Sequence, residues 1–338
     1  MKYSQDHNES LSHATWPWLL LAFALLGFAI NYSTFRVSRD TYRYLFVLDI
    51  TQSMNVRDMQ TGAGETTRLE FAKVAVENAF RNLPCGSEAG LAIFTEHRTF
   101  VLFTPVEVCE HYRTLFDMLG NVDWRMAWAA RSEVAKGVYS AIDAAREIEP
   151  ETRLVFLTDG HEAPPIHQEI RPPFSAEPGT VKGIIGGIGG PVPSKIPHIG
   201  DDGKVVGYWR HDEVMQIDIH SLGRAGTEQG EVMVGINMAN IARRIALGQE
   251  HLSSLREVHL QQLAIQTGLD YVRVDSTSTF METLQNDKYA RRTPLLSDMG
   301  WIPAILALLS LIYCFVVVPW RDRPALAVRR SPNPSISP

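Results

Sequence analysis

The run Asp49-Ile50-Thr51-Gln52-Ser53 sets one carboxylate and two hydroxyls at alternating positions. A second carboxylate, Asp159, stands in Leu157-Thr158-Asp159-Gly160. Carboxylate, hydroxyl and water oxygens are the donors a hard divalent cation takes. Two ionised carboxylates held close together repel unless a cation lies between them. The set predicts a cation site, provided the fold brings residues 49–53 and 159 together. For Asp49 taken alone, a helix cap or a turn is the simpler account.

Both acidic residues stand where short apolar runs end. Tyr44–Ile50 and Arg153–Thr158 have the length and composition of fully buried strands. Helical spacing marks Leu69–Leu83, through Leu69, Ala72, Val76, Ala79 and Phe80, and Val134–Ile148, through Val134, Val138, Ala141, Ile142 and Ala145. Gly90–Phe94, Thr99–Phe103, the glycine-rich Val181–Ile188 and Tyr271–Val274 are strand-like. Leu255–Thr267 reads as a helix closed by Gly268, and Phe280–Gln285 starts a short helix. Strands parted by helices predict an α/β fold with a mostly parallel sheet covered on both faces. Ligand sites in such sheets lie at the carboxyl ends of strands. Two long loops, Gly160–Thr180 and Gly189–Gln249, stand out. Within the second, Val205–Trp209, Glu213–Ile219 and Ile236–Leu247 look strand-like or helical.

The combination resembles a von Willebrand factor type A domain, a Rossmann-like fold, over about residues 41–290. The family's metal-ion-dependent adhesion site begins Asp-x-Ser-x-Ser, here Asp49-x-Thr51-x-Ser53. Its Arg-Leu-x-x-Ala-Lys appears as Arg68-Leu69-Glu70-Phe71-Ala72-Lys73, its second strand as Gly90–Phe94 and its Leu-Thr-Asp-Gly as Leu157–Gly160. The family's Gly-Gly-Thr turn is replaced by Ala129-Ala130-Arg131-Ser132, which makes Ser132 the third hydroxyl. Arg131 beside it is a departure that would weaken cation affinity. The resemblance implies Asp49, Thr51, Ser53, Ser132 and Asp159 around Mg²⁺ or Ca²⁺, with Mn²⁺ also suited. It leaves one position for an Asp or Glu of a partner protein. LPCGS (Leu83–Ser87), LFTPVEVC (Leu102–Cys109) and DWRMAWAARSEVAKG (Asp123–Gly137) resemble the bacterial branch associated with methanol dehydrogenase maturation and ATPases of the MoxR type. That resemblance implies an accessory factor for calcium insertion into, or assembly of, a periplasmic quinoprotein dehydrogenase. A cytoplasm-facing scaffold for the ATPase is the alternative.

Trp16–Phe35 and Trp301–Trp320 are uncharged blocks of twenty residues with tryptophans near their ends. Twenty helical residues span about 30 Å, the hydrocarbon thickness of a bilayer. They predict two transmembrane helices in a bacterial inner membrane, between tails 1–15 and 321–338. The central domain would carry an inserted region at about 190–250. The leader is not basic, which argues against a cleaved signal. Arginines flank the blocks on both sides, so charge alone leaves the topology open. If Gly90–Phe94 and Thr99–Phe103 form a hairpin turning near His97, Cys85 and Cys109 lie at equal offsets from the turn. A disulfide there would mean an oxidising compartment, and two unrelated buried thiols are the alternative. With the C-terminal arginines, this favours a periplasmic domain.

The chain has 338 residues, with 32 Lys+Arg against 38 Asp+Glu, which argues against nucleic acid as a partner. His161, Glu162 and His167 read as loop-surface residues rather than a transition-metal site. Trp124 and Trp128, four apart, would share a helical face packed on the core. Gly183, Gly186, Gly187, Gly189 and Gly190 lack the Gly-Lys-Ser/Thr of a phosphate loop. Gly-x-Ser-x-Gly is absent. The expected role is protein binding without catalysis. A metal-dependent hydrolase would need Glu162 as its general base.

Overall fold

A computed structural model describes residues 3–31, 34–149, 151–165, 172–200, 202–217 and 246–321. The strands, in chain order, are β1 (Thr34–Thr41), β2 (Arg43–Asp49), β3 (Arg57–Thr61), β4 (Gly64–Thr67), β5 (Glu88–Thr95), β6 (Arg98–Glu107), β7 (Arg153–Thr158) and β8 (Gly183–Gly187). Then come β9 (Ser194–Lys195), β10 (Pro197–Ile199), β11 (Val205–Tyr208), β12 (Leu252–Ser253), β13 (Asp270–Arg273) and β14 (Arg291–Asp298). The helices are α1 (Tyr3–Asn31), α2 (Arg68–Asn82), α3 (Tyr112–Gly120), α4 (Val134–Ile148), α5 (Glu257–Thr267), α6 (Thr277–Leu284), α7 (Trp301–Ile312) and α8 (Val318–Arg321).

Residues 40–293 form one compact unit around a six-stranded sheet in the order β13-β8-β7-β2-β5-β6. All neighbours are parallel except the β5–β6 hairpin. Alternation along β2 divides the core. Tyr44, Phe46 and Leu48 pack with Leu69, Val76 and Phe80 of α2 and with Phe280 of α6. Leu45 and Val47 pack on the other face with Val138 and Ala141 of α4 and Leu260 of α5. A continuous apolar run suits this strand because both its faces are covered. Gly137 is required where α4 crosses β5, since a Cβ there would meet the Phe94 ring at 2.2 Å.

The β5–β6 hairpin turns at Glu96-His97, and Thr95 pairs with Arg98. It brings Cys85 and Cys109 together in a disulfide with Cα atoms 5.4 Å apart. The choice left open by the sequence falls to the bond. Within the region expected as an insertion, β10 pairs with β11, and β9 pairs with β12 just beyond it. Glu213–Ile217 is irregular rather than strand, and most of Ile236–Leu247 lies outside the described residues. Neither the β3–β4 ribbon, which has no strong apolar period, nor α3, whose apolar period covers only nine residues, was anticipated.

The other unit comprises residues 1–39 and 294–338. The first apolar block does not remain helical to Phe35. α1 ends at Asn31, whose side-chain Nδ2 donates to the Gly27 carbonyl at 2.9 Å, and Thr34 already belongs to β1, which pairs with β14. β-branched and polar residues after Ile30 favour the extended chain. The second block is α7, then a π-turn over Tyr313–Val317, then α8. Among the described residues no helix is long and apolar enough to cross a membrane. The two single spanning helices expected from the sequence are therefore not met in that form: the π-turn divides the second block, and the first half of α1 is polar. α1 and α7 nevertheless pack together. The Ser310 hydroxyl donates to the Trp18 carbonyl at 3.0 Å, and the Trp18 and Tyr313 rings lie 4.5 Å apart.

A thiol titration of the denatured chain checks the bond. One thiol, Cys314, is expected without reductant and three after reduction. Cys85→Ser is expected to lower the stability of the central unit by about 3 kcal/mol in urea, from the entropy of the loop left unclosed. Three free thiols in the unreduced chain would contradict the pairing.

Candidate functional site

The site forms where β2 and β7 end side by side. Parallel pairing sets Leu48 against Leu157, so Asp49 and Asp159 leave the sheet together. Beyond β2 the chain turns at once: the Thr51 amide donates to Asp49 Oδ1 at 2.9 Å, and a 3₁₀ turn follows over Gln52–Asn55. This turn aims both hydroxyls back at the carboxylates. Thr51 Oγ1 donates to Asp49 Oδ1 at 2.6 Å and lies 3.4 Å from Ser53 Oγ, which donates to Asp159 Oδ1 at 3.1 Å. Thr158 Oγ1 holds the other Asp49 oxygen at 2.6 Å. Ser132 comes from the segment before α4. Its amide and carbonyl pair with Ala163 at 2.8 and 2.7 Å, and it lines the same cavity as Thr51 and Ser53. All five predicted residues are buried and converge.

The two carboxylates are compensated unequally. Arg68, wholly buried, donates through Nη1 to Asp159 Oδ2 at 2.5 Å and to Ser253 Oγ at 2.6 Å. Its other edge grips Asp58, with Nη2 to Oδ2 at 2.6 Å and Nε to Oδ1 at 2.9 Å. Ser253 Oγ also donates to Asp159 Oδ2 at 2.9 Å. Burial pushes the Asp159 carboxyl up, but Arg68, then His161 and the hydrogen bonds, outweigh it and hold the group below the usual range. Asp49 has hydroxyl and amide donors only. Burial first and the Asp159 charge second push it up. Among the described residues no Lys or Arg pairs with Asp49. Ser132 Oγ is buried with no hydrogen-bond partner.

These features fit a divalent cation. The donors are hard oxygens, one carboxylate lacks a counter-charge, and one hydroxyl is orphaned at the same crevice. A second grouping, Cys85, Glu107 and Cys109, has ligand atoms within 4.8 Å of one another, but the disulfide removes both thiolates. Glu107 there accepts from the amides of Gly86 and Glu110.

Residues 44–161 match the von Willebrand factor type A domain. The match spans all five site residues, and the central unit has that α/β fold, with a mixed, mostly parallel sheet. The chain is also similar to the conserved hypothetical protein BatB from Bacteroides thetaiotaomicron (18% identity, 72% of this chain and 96% of that one, TM-score 0.46). An aerotolerance-related membrane protein from Bacteroides fragilis gives 17%, 72%, 96% and 0.45. An uncharacterized membrane spanning protein from Vibrio fischeri gives 17%, 73%, 96% and 0.27. No curated protein matches the chain.

Several expectations about the site and its surroundings change. His161 and Glu162 are buried rather than on a loop surface, because the segment after β7 folds under the start of α4. Burial lowers the His161 pKa to about 4. Glu162 accepts the Val134 and Ala135 amides at 2.9 and 2.8 Å, closing the N-terminus of α4, and lies 3.0 Å from His259 Nε2. Both its oxygens are engaged, and it does not line the cavity, so it is ill placed as a general base. His167 lies outside the described residues. Trp124 and Trp128 do not share a helical face: the helical turn there covers only Trp124–Met126, and Trp128 is 59% exposed against Phe100. Arg131 is exposed at the cavity rim. Gly189 adopts φ +139°, and a Cβ there would lie 2.9 Å from Arg68 Nε, so the glycine run makes room for the guanidinium.

Arg68, Asp58 and Ser253 were missed as site residues. One signal was present in the sequence. An arginine opening a helix opposes the helix dipole and calls for an anion close by. Arg68→Met leaves the buried Asp159 and the half-buried Asp58 without their cation and is expected to cost about 3–5 kcal/mol in urea unfolding. Arg68→Lys should recover only part, because an ammonium cannot bridge Asp58 and Asp159 as the planar fork does. An unchanged unfolding midpoint for Arg68→Met would remove Arg68 from this role.

Proposed function

We propose that this chain is a membrane-anchored, metal-dependent protein-binding module that acts without catalysis. The observation that carries the reading is the pairing of an uncompensated buried Asp49 with the orphaned hydroxyl of Ser132 at one crevice. Asp49, Thr51, Ser53, Ser132 and Asp159 would hold Mg²⁺ or Ca²⁺, or Mn²⁺. The ion would supply a positive site for the Asp or Glu side chain of a partner protein. Arg68 fixes Asp159, Thr158 fixes Asp49, and the Asp49–Thr51 turn orients the hydroxyls, so the chain organises the donors before any ligand arrives. The engagement of Glu162 supports binding over hydrolysis.

Anchoring is supported by the inverted packing of α1, α7 and the π-turn. Small residues are buried there (Ala22, Ala307, Ser310, Cys314), while Phe23, Ile30, Leu308 and Phe315 are exposed. Small buried and large exposed apolar residues suit helices solvated by lipid. α7, the π-turn and α8 make one helical run of about twenty residues, about 30 Å long. The Cys85–Cys109 bond favours an oxidising side, hence a periplasmic domain on a bacterial inner membrane. Within that setting, the likeness of the 83–87, 102–109 and 123–137 segments to the methanol dehydrogenase branch supports an assembly role for a periplasmic quinoprotein.

In the full-length chain, Mg²⁺ or Ca²⁺ is expected to raise the melting temperature, by about 2.7 kcal/mol of stabilisation at a hundred times Kd. Asp49→Ala should stay folded by circular dichroism, lose that shift, and lose EDTA-sensitive capture of the partner. Undiminished capture by the variant, with and without EDTA, refutes the metal reading.

A further inference from the structure

The crevice does not end at the hydroxyls. It opens into a cavity of about 180 Å³ whose floor is Thr51, Ser53 and Ser132. The segments after β8 contribute a further wall through Ile196, Trp209, Val214 and Met215. That wall is apolar, yet it is not inert. Trp209 Nε1 is buried without a hydrogen-bond partner, and so is His161 Nδ1 beside the floor. Together with Ser132 Oγ, three orphaned polar atoms belong to residues lining one cavity. Such atoms are costly unless a ligand or water meets them. Two carboxylates also line it, and both already have partners. Glu213 is tied to Arg210 at 3.3 Å and Glu250 to Arg256 at 3.5 Å. Arg131 adds a positive rim.

We propose that this cavity is a specificity pocket beside the metal crevice, and that it selects a partner segment in which the acidic residue is flanked by a large apolar side chain. The acid would lie at the hydroxyl floor, under Arg131. The apolar neighbour would fill the space against Ile196, Val214 and Met215, and the Trp209 N–H would donate to a carbonyl of the partner's backbone. The walls exclude a purely polar occupant, and the orphaned donors exclude a purely apolar one. The volume suits one large side chain rather than a cofactor. This inference rests on the metal-dependent reading given above and adds the class of peptide that the site accepts.

The test uses the full-length chain in detergent with excess Mg²⁺ and fluorescein-labelled, end-capped peptides containing one central Asp. Three are compared by anisotropy: Asp between glycines, Asp between leucines, and Asn between leucines. Burial of one large apolar side chain is enough for about a tenfold preference. The leucine-flanked Asp peptide is expected to bind about tenfold more tightly than the glycine-flanked one, and the Asn peptide to bind far more weakly. Met215 is 40% exposed, so Met215→Ser should fold, and it is expected to bring the leucine-to-glycine ratio close to one. Equal affinity for both Asp peptides, with binding abolished by EDTA, overturns the pocket and leaves the metal reading standing. A leucine preference that survives EDTA and Asp49→Ala overturns both. Failure of every peptide to bind overturns the pocket too, and the Mg²⁺ melting shift then decides the metal reading separately.

Discussion

Two carboxylates buried at the ends of neighbouring strands create the constraint that organises the central domain. Neither Asp49 nor Asp159 reaches water, so each needs compensation from within the fold. Arg68 supplies it for Asp159, and it can do so only because several elements give way to it. α2 opens on that arginine, Asp58 of the β3–β4 ribbon takes its other edge, Ser253 of β12 adds a hydroxyl, and Gly189 leaves space beside the guanidinium. The ribbon, the sheet and the segments after β8 are thus tied to one charge. Asp49 is left with dipoles alone, which is an unfavourable arrangement for a full negative charge. This asymmetry is the observation on which the proposed cation site rests.

The same economy shapes the surroundings. Glu162 is spent on the N-terminus of α4, which fixes the segment carrying Ser132 through its pairing with Ala163. The hydroxyl floor is therefore set by three independent supports: the turn after β2, the strand end of β7 and the start of α4. Rigid support of this kind suits a site that binds without rearranging. The further wall of the cavity is built differently, from short two-stranded ribbons and irregular chain. In the proposed reading, the hydroxyls set the chemistry and these segments set the selectivity.

The terminal helices obey the opposite rule of packing. In the central domain large apolar side chains fill the two cores. In α1, α7 and the π-turn, alanine, serine and cysteine are buried and phenylalanine, leucine and isoleucine are exposed. Hydropathy alone identifies the apolar blocks, but it does not show where each helix stops. Asn31 and the β-branched residues after it shorten the first block, and the π-turn at Tyr313–Val317 divides the second.

Much of the central fold could be read from period and run length. β2 and β7 are apolar runs of strand length, and α2 and α4 show the helical repeat over nearly the whole of their observed extents. These are local properties, fixed by side chains within one element, so the chain itself carries them. The acidic residues at both strand ends were equally legible, because position in an element is a sequence property. The β3–β4 ribbon was not, since it has no strong apolar period, and α3 was not because its period, through Tyr112, Leu115, Phe116 and Leu119, covers only nine residues. The cost of burying a charge was also invisible, because it depends on which distant residue answers it. Asp159 finds Arg68 across 91 positions and Ser253 across 94, while Asp49 finds no cation among the described residues. Likewise, His161 and Glu162 look like polar loop residues until the loop is folded beneath α4. The sequence by itself determined the donors, the strands that carry them and the cysteines able to pair. Only the tertiary structure decided which carboxylate is compensated, which hydroxyl is orphaned and what further wall lines the cavity, because these depend on contacts between segments that no local pattern encodes.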